Sequence, residues 1–111
     1  MNTIKNSVRL IGNLGADPTM TTFSSGKKAA KLSLATTDYT IIDGKKTTET
    51  QWHNLVLYGK IAEVAEKYLT KGKEVAIDGK LTNRSYTTNA GEKKYITEIV
   101  VSELALLGKA S

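Results

Sequence analysis

Only one stretch of this chain repeats its apolar residues at the period of a helix. In KIAEVAEKYLTKG (60–72), Ile61, Val64, Ala65, Tyr68 and Leu69 fall at i, i+3, i+4, i+7 and i+8, and Gly72 is placed as a C′ residue just after Lys71. This spacing predicts one helix and assigns Tyr68 to its core side. Elsewhere the chain is cut by turn signals at Gly12–Pro18, Ser24–Lys28, Asp43–Lys46 and Asn89–Lys94. Between them lie strand-like runs: VRLIG, AKLSLAT, QWHNLVLYG, EVAIDGKLTNRSY and YITEIVV. The order is strand, strand, strand, helix, strand, strand. It predicts an all-β chain whose five strands form a small closed or partly open Greek-key barrel, the arrangement of the OB-fold, with the helix between strands three and four. An α+β sandwich satisfies the same element order.

Length and composition narrow the setting. A chain of 111 residues, 40% hydrophobic and 24% charged, carries one compact core and is too short for two ordinary domains. Repeats of solenoid period, linkers rich in proline or serine, and long like-charge blocks are absent. No run approaches the roughly 18 apolar residues of a membrane span, and MNTIKNSVRL lacks the apolar core of a signal peptide, so the expected location is inside the cell. The absence of cysteine excludes disulfides and thiolate metal sites. Sixteen basic against eleven acidic residues give +5, which suits a polyanionic partner without identifying one.

Side chains alternate between the two faces of a strand, so residue parity sorts each run. In QWHNLVLYG, Gln51, His53, Leu55 and Leu57 form the inward set and Trp52, Asn54, Val56 and Tyr58 the outward one. The next strand separates Val75, Ile77, Gly79 and Leu81, inward, from Ala76, Asp78, Lys80, Thr82, Arg84 and Tyr86, outward. AKLSLAT turns Ala30, Leu32 and Leu34 inward and Lys31, Ser33 and Ala35 outward. Three aromatics on outer faces, interleaved with Lys31, Lys80 and Arg84, are the mixture that nucleic acid needs, because bases stack on rings while cations neutralise phosphates. Basic residues in the turns, Lys27, Lys28, Lys45, Lys46, Lys93 and Lys94, are placed to guide the backbone. Any one of these aromatics taken alone is equally a half-buried packing residue. Apolar residues of both parities in VRLIG and YITEIVV point to contact on two faces and hence a subunit interface. Tyr95 is assigned to neither face.

Catalytic chemistry is missing. The single histidine, His53, lies among leucines as a structural residue, and no G-x-S-x-G elbow, metal-ligand spacing or phosphate loop occurs. Glu63 and Glu66 read as the solvent side of the helix, paired with Lys60 and Lys67. Neither an enzyme nor a cofactor is expected.

LIGNLGADP, KLSLATTD, TQWHNLVLYGKIAEVAEKYLTKGKEVAIDGKLTNRSY and GEKKYITEIVV, in that order over about residues 4–108, resemble the bacterial single-stranded DNA-binding protein family. The resemblance implies an OB-fold, usually a homotetramer with a dimer as the alternative, that binds single-stranded DNA with little sequence preference in replication, repair and recombination. It also implies a cytoplasmic, nucleoid-associated location and no membrane partner. Family positions for base stacking match Trp52, Tyr58 and Tyr86, and His53 matches a structural histidine near the subunit interface. Tyr39 lies one position earlier than a further family aromatic and is kept as a stacking candidate. Family members commonly end in a linker and an acidic tip that recruits other proteins, whereas this sequence stops at ELALLGKAS, so no tail-dependent partner is expected from these residues. Residues 1–108 are expected to form the single domain and 109–111 a short end. A replisome or primosome adaptor, or a binder of single-stranded RNA, would use the same outer aromatics.

Overall fold

The computed structural model describes residues 6–107, so the expected short end at 109–111 lies outside the described residues. The elements are β1 (Val8–Leu14), β2 (Thr19–Thr22), β3 (Lys28–Ile42), β4 (Lys45–Tyr58), α1 (Lys60–Tyr68), β5 (Glu74–Thr87) and β6 (Lys93–Leu106). All five predicted runs form strands, and β3, β4 and β6 run well past the predicted ends. The sixth strand, β2, is the sequence TMTT, which pairs with β3 from Thr19↔Lys31 to Thr22↔Lys28. Its polar threonines gave no apolar alternation to read; only Met20 packs on the core.

The sheet order is β1-β5-β6-β4-β3-β2, and an additional β1–β3 pairing brings the ends together. Leaving out the short β2, the other five of the six strands close into a barrel. The β4–β6 seam is parallel and the remaining pairs are antiparallel. Closure asks β1 to serve two neighbours: Val8 to Asn13 pair with β5, then Asn13 and Leu14 with β3. Gly12 stands at this changeover, where a Cβ would lie 2.1 Å from the carbonyl oxygen of Ala35. Gly79 stands at the β5–β6 register shift, and its Cβ would lie 2.3 Å from the carbonyl oxygen of Val100. Both are places where only a residue without a side chain lets two backbones meet.

The interior follows the predicted parity. Leu32 and Leu34, Leu55 and Leu57, and Val75 and Ile77 are all buried in one cluster with Ile99 and Val101 of β6. Three residues depart from it. Val56, read as outward, is buried on the outer side between Lys31 and Val100, its partners on the two neighbouring strands. Gln51 and Leu81, read as inward, are exposed because both lie where their strands leave the barrel. The Leu81 backbone is held there by Asn6, which donates to its carbonyl at 3.1 Å and accepts from its N–H at 2.9 Å.

The helix also departs from its expected orientation. Ala62 and Ala65 are its buried residues, followed by buried Leu69, whereas Tyr68 is 58% exposed and Val64 is exposed as well. Two alanines let the helix close on the barrel, which leaves Val64 and Tyr68 about 100° around from Ala65 and Leu69. The helix ends at Tyr68 with Leu69 already extended, so Gly72 is not its C′ residue. Gly72 instead sits at φ +89° in the turn before β5, where its N–H donates to the Leu14 carbonyl at 2.8 Å. Lys28 of β3 reaches α1 and donates to Glu66 at 2.9 Å, and this bond raises the lysine above its ordinary 10.5. The raised value keeps the lysine charged at neutral pH, and its contribution to the pair is lost as pH rises through that value. None of the described helices is long and apolar enough to cross a membrane.

Candidate nucleic-acid interface

The β3–β4 register runs unbroken from Ala29↔Tyr58 to Ile42↔Lys45. It places Tyr58, Asn54 and Trp52 beside Ala29, Ser33 and Ala35 on one face, with Lys31 opposite Val56. Farther out, Tyr39 opposite Thr48 and Ile41 opposite Lys46 share that face. Tyr39 thus stands on the side of Trp52 and Tyr58. Lys45, opposite Ile42, points to the other side. The second hairpin pairs Lys80↔Val100, Thr82↔Glu98, Arg84↔Ile96 and Tyr86↔Lys94. Because Val56 also pairs with Val100, the two hairpins join into one outer surface with Lys31 and Lys80 at the two ends of a single row.

Trp52 is 62% exposed, and Tyr58 and Tyr86 are each 54% exposed, so none of the three fills the core. Trp52 is nevertheless seated. A Cβ at Gly15 would lie 2.4 Å from its six-membered ring, so the indole rests directly on the Gly15 backbone. Sequence reading offered no hint of this pairing, since the glycine is distant in the chain and looked like an ordinary turn residue. Lys46 lies over the Tyr39 ring, 4.3 Å from its centroid, a distance that favours attraction between cation and ring.

Other sequence-predicted residues are dispersed or occupied. Lys93 pairs with Thr87 on the opposite face from Tyr86 and Lys94, and lies 5.7 Å from the ring centroid of Tyr95, which is exposed there. Lys27 is exposed in the turn before β3, and Lys28 is bonded to Glu66. Arg84 remains on the outer face, but its guanidinium donates through Nε to Glu98 Oε1 at 2.7 Å and through Nη2 to Oε2 at 3.1 Å. Glu98 is only 4% exposed, and this two-pronged contact compensates its burial. The same bond raises the arginine above its ordinary value, so it stays charged. Glu98 was missed in sequence; its signal was the one carboxylate within the run YITEIVV. His53 shares a 2.9 Å hydrogen bond with the Thr36 hydroxyl through Nε2, which fits the structural role read for it.

A five-stranded barrel closed in this order, with its helix between the third and fourth of those strands, is an OB-fold, and its broad outer face carries exposed aromatics among cations. The chain belongs to the single-strand binding protein family, whose model matches residues 5–107. It is 43% identical over 105 residues to the single-stranded DNA-binding protein of Bacteroides thetaiotaomicron, covering 92% of this chain and 65% of that one. It is 41% identical over 107 residues to single-stranded DNA-binding protein 1 of Xylella fastidiosa, covering 94% of this chain and 78% of that one. The chain thus spans a little under two thirds of the Bacteroides relative. A solved structure titled Plasmodium falciparum SSB complex with ssDNA superimposes with a TM-score of 0.87 at 34% identity, covering 97% of this chain and all of the other.

Proposed function

We propose that this chain binds single-stranded DNA with little sequence preference, as a non-catalytic coat in replication, repair and recombination. The observation that carries this reading is the joined outer face, where Trp52, Tyr58 and Tyr86 stand exposed with Lys31, Lys80, Lys46 and Lys94 on the same side. Each base that stacks on a ring contributes roughly 1–3 kcal/mol whatever its identity, and phosphate neutralisation adds a part that weakens with salt. Tyr39 joins the platform when Lys46 yields the ring. Fluorescence anisotropy with a labelled dT oligomer tests the reading. Unlabelled single strands should displace it far better than duplex at physiological salt, and affinity should fall steeply as salt rises. Equal competition by duplex would favour a protein adaptor, and stronger competition by single-stranded RNA would favour an RNA binder.

Self-association belongs to the same proposal, with a homotetramer as the expected state. On the far side of the barrel, exposed Ile11 lies beside Ala76 and Ala105 in a depression of about 510 Å³ bordered by Arg9, Asp78 and Glu103. Arg9 is 3.5 Å from Asp78, so this patch carries both signs of charge around an apolar centre and can pair with a second copy of itself. Ile11→Glu is expected to shift the mass measured by light scattering to a smaller species while the melting temperature of the barrel is kept. A monomer before substitution would sink the tetramer, and an unchanged mass after it would place the interface elsewhere.

A further inference from the structure

The tetrapeptide Ile-Asp-Gly-Lys occurs twice in this chain, at 42–45 and at 77–80. An aspartate before glycine is open to attack on its own side chain, because glycine puts no Cβ beside the amide nitrogen. The two copies have the same neighbours from isoleucine to lysine, so the fold decides whether they react alike.

The first copy is the turn between β3 and β4. Asp43 lies at φ 51°, the only described non-glycine residue at positive φ, and Gly44 follows at φ 77°. Every residue from Thr37 to Thr50 is exposed. Among the described residues, neither the Asp43 carboxylate nor the Gly44 N–H has a hydrogen-bond or ion-pair partner. The second copy is built into the barrel wall. Asp78 and Gly79 pair with Arg9 and Val8 of β1 on one side and with Glu103 and Val101 of β6 on the other. The Asp78 carboxylate is 3.5 Å from Arg9, and its main-chain carbonyl accepts the Ser102 hydroxyl at 3.0 Å. Ring closure requires the backbone to rotate until the glycine nitrogen reaches Cγ of the aspartate. At 43–44 this disturbs an exposed turn; at 78–79 it opens two ladders of the barrel.

We propose that the Asp43–Gly44 turn is a site of self-modification, converting to isoaspartate while Asp78–Gly79 stays intact. The Gly44 nitrogen attacks Cγ of the protonated Asp43 carboxyl. The N–Cγ bond forms, a Cγ–O bond breaks, and the hydroxyl leaves with the amide proton as water, giving a succinimide. Water then adds at the former peptide carbonyl and the bond from that carbon to nitrogen breaks. The chain now runs through Cγ, the α-carboxylate is freed, and mass and charge return to their starting values. The main chain is one atom longer at a turn that fits only two residues, so the Ile41↔Lys46 register is lost and Lys46 leaves its place over the Tyr39 ring. The reaction needs only water and does not depend on what the outer face binds.

The full chain is held at neutral pH and physiological temperature and then digested with trypsin, which puts Asp43 in peptide 32–45 and Asp78 in peptide 74–80. Chromatography with mass spectrometry should show 32–45 gaining a peak of equal mass that an isoaspartyl methyltransferase labels. Conversion at Asp43 should outpace that at Asp78 by about a hundredfold or more, since the two openings differ by much of the stability of the barrel. In guanidinium chloride the difference should vanish; a difference that persists there would overturn the structural account. Asp43→Glu, one carbon too long for the same ring, should stay unconverted. In proton spectra the Lys46 ε-methylene signals should be shifted by the Tyr39 ring in fresh protein and in Asp43→Glu, and should lose that shift on conversion while the Leu55 and Leu57 methyls stay in place. Equal conversion at the two sites of the folded protein, no conversion at Asp43, or Lys46 signals unmoved by conversion would overturn the assignment.

Discussion

Replacing Trp52 with alanine is expected to weaken binding of a dT oligomer by roughly 1–3 kcal/mol, about five- to 150-fold, with little change in melting temperature. The ring is mostly exposed and touches the barrel through Gly15, so truncation removes a stacking surface and little buried area. Trp52 is the only tryptophan, which makes its emission a direct reporter. Emission that stays constant while anisotropy registers binding would remove the ring from the contact. Early melting with intact binding would make it a packing residue.

The second large effect concerns closure of the barrel. Gly12→Ala should cost about 3 kcal/mol or more in urea unfolding, because the added carbon would meet the Ala35 carbonyl, a backbone atom that cannot swing aside. Gly26→Ala is the control. Its Cβ meets nothing within 4 Å, and only its φ of +89° is unfavourable, so a cost of about 1–2 kcal/mol is expected. If both substitutions cost the same, the close strand crossing is not what fixes glycine at position 12.

Much of this architecture was legible because burial here is decided by alternation. Leu32, Leu34, Leu55, Leu57, Val75 and Ile77 keep one parity on each strand over barrel length, and parity placed them even though Val56, between two of the leucines, is buried as well. The same rule brought Trp52 and Tyr58 to the surface. It lost power where a strand leaves the barrel, as at Leu81 and Gln51, since parity reports a face but not whether anything covers it. It also could not separate Lys45 from Lys46, or Lys93 from Lys94, while they were treated as loops; once the strands extend to the turn, neighbouring lysines must point opposite ways. Tyr68 failed for a different reason. Helical period defined an apolar arc wider than the barrel covers, and two alanines rather than the larger residues chose the contact. The Trp52–Gly15 contact and the Arg84–Glu98 pair join residues far apart in sequence, and no local pattern encodes them.

The β3–β4 hairpin has a further consequence. From Thr37 to Thr50 every residue is exposed, and the hairpin turns through Asp43 and Gly44, both at positive φ as a tight two-residue turn requires. Its ladder is therefore held by local pairing with no apolar roof, and such segments open at far lower free energy than a core. Amide exchange should run fast from Thr37 to Thr50 and slow at Leu32, Leu34, Leu55 and Leu57. On the proposed reading, a stiff barrel with a compliant arm would follow a polymer that has no shape of its own, bringing Tyr39 and Lys46 to wherever that polymer passes.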